Sequence, residues 1–311
     1  MSISLDDALS DWVIREYKGR AISKKRLTEI IFCLYKKKCY GDNPIINIRK
    51  KIPSNREYSR CICRLEDSGV ISPANGASSG AEAAFYIINT PGKDSPLEMI
   101  CSVFPYGYIS YMSAMSWYGI TDRIPKKVYF TALSRDQWKE RSIIEISERI
   151  DSRTAAAGFI PLYPSNNIFF GRDLSLSTVK NMIEPKDADG GIRIQDIGDL
   201  FIDMMRSPEK CGGEDHVIDV FMEYSNIYKR KIITRTNRIG TAIDKARIGF
   251  MLHDVIGIDS EFINLWKDEN KNLRGGSRKL FSSSEFSSFY SEDWNISINI
   301  KSLEKYGKIS S

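Results

Sequence analysis

The chain has 311 residues, 42% of them hydrophobic and 27% charged, which places it among globular chains able to fold as two domains or one large one. The first residues are acidic and mixed, and no stretch approaches the roughly 18 uninterrupted apolar residues of a spanning helix. The expectation is a cytoplasmic protein with no membrane partner.

Net charge is only +5, but residues 15–67 carry fifteen Lys/Arg against six Asp/Glu, a local balance of +9. Positive charge concentrated on so short a segment is the footprint of a polyanionic partner, nucleic acid first and an anionic membrane surface second. The six cysteines, Cys33, Cys39, Cys61, Cys63, Cys101 and Cys211, lack the density of a secreted disulfide framework. The two histidines, His216 and His253, have no Cys or His at metal-ligand spacing, so neither a metal nor a cofactor is expected.

In chain order, residues 5–17 read as a helical lead. Residues 23–38 place Leu27, Ile30, Ile31, Leu34 and Tyr35 on one helical stripe. A short helix is expected over residues 45–51, after Pro44 and before Pro53. Ser54-Asn55-Arg56-Glu57 then matches a capping box, in which a serine and a glutamate three residues on satisfy each other's free amides. The helix it opens buries Tyr58, Cys61, Ile62 and Leu65 and ends near Gly69. Val70 and Ile71, a small-residue loop over 73–80, and residues 84–88 read as a hairpin.

Helix, short helix, capped basic helix and hairpin describe a winged helix-turn-helix over residues 23–91, with residues 91–96 as its boundary. On its outer face the capped helix carries Arg56, Arg60 and Arg64 beside Asn55 and Ser59. A recognition helix presents side chains of these types to base edges, since Arg pairs with guanine and Asn with adenine while flanking cations hold phosphates. Asn55, Arg56 and Arg60 are the expected base readers. Arg49, Lys50, Lys51 and Arg64 are the expected phosphate contacts, and Asn75, Ser78 and Ser79 the wing tip. The competing reading is a basic helix face that only keeps the protein soluble.

Further on, helices are expected over 106–118, 196–205, 215–224 and 242–255, and strands over 128–132, 168–170 and 294–300. Their irregular alternation indicates an α+β fold. A nucleotidyltransferase reading fails on geometry, because Glu292 and Asp293, downstream of Gly276-Ser277, are adjacent and would point to opposite faces of a strand. No nucleophile elbow, Walker loop or zinc-protease motif is present, so no catalytic residue is assigned and the protein is not expected to be an enzyme.

The stretch YGYISYMSAMSWYGITDRIPKKVYFTA (106–132) resembles the helix-then-strand signature of AbiEi-type antitoxins, the regulator partners in type IV toxin-antitoxin and abortive-infection systems. IRIQDIGDLFIDMMRSPEKCGGEDHVIDVF (192–221) resembles that family's second block, and residues 275–299 the close of its longer members. The resemblance implies a repressor that binds inverted repeats in its own operon, and a large mixed α/β domain over 95–311 that counteracts a nucleotidyltransferase-like toxin, with or without binding it directly. The sequence departs from the family in the lead at 5–17, which makes residues 1–22 an amino-terminal extension, and in an insertion-like middle at 134–157. The alternative is a regulator or phage-defence protein whose large domain binds a ligand or protein and has no cognate toxin.

Overall fold

A computed structural model describes residues 2–48, 50–74, 83–89, 95–271 and 278–309. The chain forms two compact units, Met1–Ile109 with Lys126–Ile194, and Ser110–Pro125 with Gln195–Ser311. Helices and strands are mixed without regular alternation, which is the α+β class expected.

The first unit opens with α1 (Leu5–Asp11), whose N-cap Ser4 accepts the Asp7 amide, and continues into a π turn at Trp12–Glu16. Strand β1 (Ala21–Ser23) runs directly into α2 (Lys24–Lys37), and Ser23 caps that helix. A two-residue-strand hairpin, β2 (Cys39–Tyr40) and β3 (Asn43–Pro44), follows. Next come α3 (Asn55–Asp67), β4 (Ile71–Pro73) and β5 (Phe85–Ile88). The strands make an antiparallel sheet in the order β1-β5-β4, with Ile22 opposite Tyr86 and Ser72 opposite Ile87.

All these elements share one core. Leu5, Leu9 and Val13 from the lead meet Leu27, Ile31 and Leu34 of α2, Cys61, Ile62 and Leu65 of α3, and Tyr86 of the sheet. Burying an aliphatic side chain of that size contributes about 1.5–3 kcal/mol, so the lead is a structural part of this layer.

Among the described residues of 45–51 the expected helix does not form. Ile45 instead bridges Ile3, its amide donates to the Lys38 carbonyl, and the Ile46 amide donates to the Ile3 carbonyl. Asn47 takes a left-handed φ of 66°. So short a segment between two prolines offers too few helical hydrogen bonds to offset nucleation, and the extended partner at residue 3 supplies better ones.

The remainder of the unit adds α4 (Pro96–Val103), β6 (Gly107–Ile109), β7 (Val128–Leu133), α6 (Arg135–Ile150), the single-turn α7 (Arg153–Ala156), β8 (Ile168–Phe169), β9 (Arg172–Val179), β10 (Lys186–Ala188) and β11 (Ile192–Ile194). The strands form a mixed sheet, β10-β11-β6-β7-β9-β8, in which β11–β6 and β7–β9 are parallel. The first part of the helix expected over 106–118 is therefore strand. A Cβ on Gly107 would lie 2.3 Å from the Phe130 ring and 2.8 Å from the Thr131 carbonyl, so this glycine permits the close approach of β6 to β7. The insertion-like residues 134–157 are mostly α6, which buries Trp138, Ser142, Ile146 and Ile150 at a spacing of four.

The second unit contains α5 (Tyr111–Tyr118), α8 (Ile197–Arg206), α9 (Glu214–Ile239), α10 (Ala242–Gly249) with a π turn at Phe250–Val255, and α11 (Glu261–Lys271). A small sheet of β12 (Phe289–Ser291), β13 (Ile296–Ser297) and β14 (Lys308–Ile309) completes it. Asp196 caps α8 as its position predicts, accepting the Gly198 amide at 2.9 Å. Phe201 of α8 and Phe221 of α9 pack edge to face at 4.9 Å. Only Ile296–Ser297 of the expected strand at 294–300 pairs as β13, because Trp294 turns into the core and donates to Asp254 at 3.0 Å.

Candidate nucleic-acid interface

The start of α3 is built by local chemistry. The Ser54 backbone amide and hydroxyl donate to Glu57 Oε2 at 2.6 and 2.7 Å, and the Glu57 amide donates to Ser54 Oγ at 3.4 Å. This is the capping box anticipated from the sequence. Hydrogen bonds from the Ser54 backbone and hydroxyl hold the Glu57 carboxyl below the usual range.

Tyr35, at the end of α2, donates its hydroxyl to Glu57 Oε1 at 3.2 Å and takes a hydrogen bond from the Lys50 backbone. One buried phenol therefore ties the 50–54 connection to the first turn of α3. It fixes the backbone that carries Lys50 beside the helix start.

With Tyr58, Cys61, Ile62 and Leu65 turned toward the core, Asn55, Arg56, Ser59, Arg60 and Arg64 are exposed, as are Lys50 and Lys51. Arg56, Arg60 and Arg64 recur every fourth residue and so fall within about 80° of arc around the helix. The sequence had anticipated this outward stripe. Arg49, Asn75, Ser78 and Ser79 lie outside the described residues.

The three arginines are not equivalent. Arg60 is ion-paired with Asp6 of α1 while its side chain remains 47% exposed, so the lead helix holds the guanidinium that sequence reasoning left free for bases. Beside Arg64, the carboxylates of Asp6, Asp7 and Asp67 line a polar recess of about 390 Å³. Burial foremost, with the Asp6 carboxylate alongside, pushes the Cys61 thiol up to about 12, so Cys61 is a neutral packing group. Among the described residues Arg56 has no ion-pair partner. The open cationic surface is thus the amino-terminal half of α3, namely Asn55, Arg56 and Ser59, with Lys50 and Lys51 beside it. Asp6 is the neighbour of the candidate surface that the sequence did not reveal, since nothing in residues 1–11 indicates which turn of α3 they meet.

The other candidate chemistry resolves into structural contacts. Glu292 pairs with Lys308 at 3.6 Å and Asp293 with Lys267 at 2.9 Å, two carboxylates on separate lysines. His216 Nε2 lies 2.9 Å from Thr121 Oγ1, and burial, then nearby Arg123, lowers its pKa. Among the described residues no group of three or more His, Cys, Asp or Glu side chains is placed to hold a metal ion, and no helix is long and apolar enough to cross a membrane.

No family model and no curated protein matches the chain. Among solved structures, the crystal structure of RV2827C protein from Mycobacterium tuberculosis is similar over 95% of this chain and 92% of that one, with 10% sequence identity and a TM-score of 0.48. A likeness at that level says nothing about function.

Proposed function

We propose that residues 1–89 form a winged helix that binds duplex operator DNA through the amino-terminal half of α3, and that the protein is a DNA-binding antitoxin repressing its own operon. The observation that carries this reading is Arg56, exposed and, among the described residues, without an ion-pair partner, between Asn55 and Ser59 on a rigidly capped helix start. The first turns of a recognition helix are the part that meets base edges. Arg56 and Asn55 have the donor patterns for guanine and adenine, and Lys50 and Lys51 stand where phosphates would run.

The element order supports the same reading. Apart from the short β2–β3 hairpin between α2 and α3, the order is helix, strand, helix, helix and two strands, with the first strand pairing the last; this matches a winged helix in which α1 supplies the first helix, α2 the second and α3 the recognition helix. This replaces the assignment that took residues 23–38 as the first helix and 45–51 as the second. The antitoxin role rests on the resemblance of residues 106–132 and 192–221 to AbiEi-type proteins, and it makes a nucleotidyltransferase-like toxin the functional partner.

The test is a binding titration of the full chain on its own promoter and on scrambled DNA. Arg56→Ala should lose about 1–3 kcal/mol of discrimination between the two, and an unchanged preference rejects the interface. Co-expression of the full chain with the product of the neighbouring gene tests the antitoxin role. A neighbour without nucleotidyltransferase character leaves a regulator or phage-defence protein whose large domain over 95–311 binds a ligand or protein.

A further inference from the structure

We propose that the first unit holds a binding site for a small aromatic carboxylate, in the recess where α2, the Trp12–Glu16 turn and the β2–β3 hairpin meet the end of α6. The recess has a volume of about 620 Å³; Trp12, Ile30, Leu34 and Tyr40 give it an apolar wall, and Arg26 and Arg149 line it as well. The same two arginines border a smaller cavity of about 230 Å³ beside Tyr106 and Phe159. Arg26 Nη1 and Arg149 Nε both donate to Oε1 of the buried Glu29 at 2.6 Å, and the Arg26 guanidinium lies 5.7 Å from the centre of the Trp12 ring. Their side chains nevertheless remain 30% and 41% exposed. Among the described residues nothing accepts a hydrogen bond from Arg26 Nε and Nη2 or from either Nη of Arg149. One carboxylate is thus shared by two guanidinium groups, and a fork of free donors is left at the recess.

Structural roles do not account for the second arginine. A single guanidinium neutralises Glu29. The contact of α2 with residues 150–159 is already made by Phe32 against Phe159, with ring centres 5.3 Å apart, and by Lys36, which donates to the Ile150 carbonyl at 3.1 Å. Arg149 stands in the last turn of α6, where the helix dipole favours a cation, but a lysine serves that purpose equally.

Size, lining and charge define the occupant. Small-molecule sites of roughly 300–1,000 Å³ are mostly apolar with a few placed polar groups, and the wall of Trp12, Ile30, Leu34 and Tyr40 suits an aromatic ring. The planar guanidinium fork matches a carboxylate or a phosphate through two parallel hydrogen bonds. Charge decides between them, because Lys37 and the two arginines are balanced by the carboxylates of Glu16, Glu29 and Glu148. A monoanion gains the hydrogen bonds of the fork, whereas a phosphate dianion brings a second negative charge toward Glu16 and Glu148. Two thiols, Cys33 and Cys39, also line the recess. Cys39 is exposed, while burial foremost, with Glu29 nearby, pushes the Cys33 thiol up, so alkylation there reports on Cys39.

The test uses the full chain with benzoate, indole-3-acetate and inorganic phosphate as probes. Affinity is measured by isothermal titration calorimetry, and the alkylation rate of Cys39 by mass spectrometry with Cys63 of α3 as the internal reference. At least one of the two carboxylates should bind and phosphate should not. At about ten times its Kd the bound carboxylate should slow alkylation of Cys39 about tenfold, because only the free protein reacts, and leave Cys63 unaffected. Arg149→Lys keeps a cation beside Glu29 but loses the fork, and should weaken binding about tenfold or more. Lys139→Gln, at an exposed position of α6 away from the recess, should leave affinity unchanged. Failure of both carboxylates to bind, binding of phosphate in their place, an unprotected Cys39, or equal affinities of Arg149→Lys and wild type overturns the proposal. The site is independent of the reading of α3, so Arg56→Ala should alter operator preference and leave carboxylate binding intact.

Discussion

Replacing Asp6 by Asn tests whether the lead helix limits what α3 can offer to DNA. The substitution removes the carboxylate paired with Arg60 and leaves the Asn side chain in nearly the same volume. Arg60 is 47% exposed and Asp6 23%, so the freed guanidinium rehydrates and loss of the pair costs about 0.5 kcal/mol, as for an exposed ion pair. Asp6 also lies in the first turn of α1, where a negative charge contributes a further ~0.3–1 kcal/mol through the helix dipole. The variant should thus be about 1 kcal/mol less stable by urea unfolding, yet bind DNA more tightly. One added phosphate interaction steepens the salt slope by about 0.9 and makes the fall in affinity from 50 to 200 mM about 3.5-fold larger. Anisotropy titrations of wild type and Asp6→Asn across that salt range measure both quantities. A folded variant with unaltered affinity and slope would show that Arg60 does not face the DNA, and the stripe would shrink to Arg56 and its neighbours.

Ser54→Ala, which removes the N-cap hydroxyl, should cost about 1 kcal/mol in chemical unfolding and weaken operator binding; a variant of full stability would mean that α3 is held by its packing alone. Because the Glu57 carboxyl is depressed in the folded state, mainly by the Ser54 backbone hydrogen bond, its contribution is complete above its unfolded value of 4.5 and is lost as pH falls through the lower folded value. Glu57→Gln should accordingly flatten the acid limb of a stability-against-pH curve below that unfolded value, and a limb of unchanged steepness would place the acid sensitivity elsewhere. Gly107→Ala drives a methyl to within 2.3 Å of the Phe130 ring, so it should destabilise by about 1–3 kcal/mol as an overpacked core does; a neutral result in thermal unfolding would mean that the two strands can separate at little cost.

Local signals in the sequence were sufficient wherever a few neighbouring residues settle the outcome. The capping box at Ser54 and Glu57, the buried face of Cys61, Ile62 and Leu65, the Asp196 cap and the outward turn of Arg56 all depend on groups within one or two helical turns. Periodicity also marked α2 and β7, since their apolar faces are written in consecutive residues. Tertiary structure decided what depends on residues far apart in the chain. Residues 45–48 are not helical because Ile3 offers the backbone at Ile45 and Ile46 a partner, and β6 is a strand because Gly107 lies against Phe130. Arg60 is tethered because α1 packs alongside α3 with Asp6 on the facing turn. A charge pattern specifies which side chains leave a helix toward solvent, whereas the approach of a carboxylate from a distant part of the chain is set only when the core closes. That is why three similar arginines in the sequence are three different groups in the folded protein.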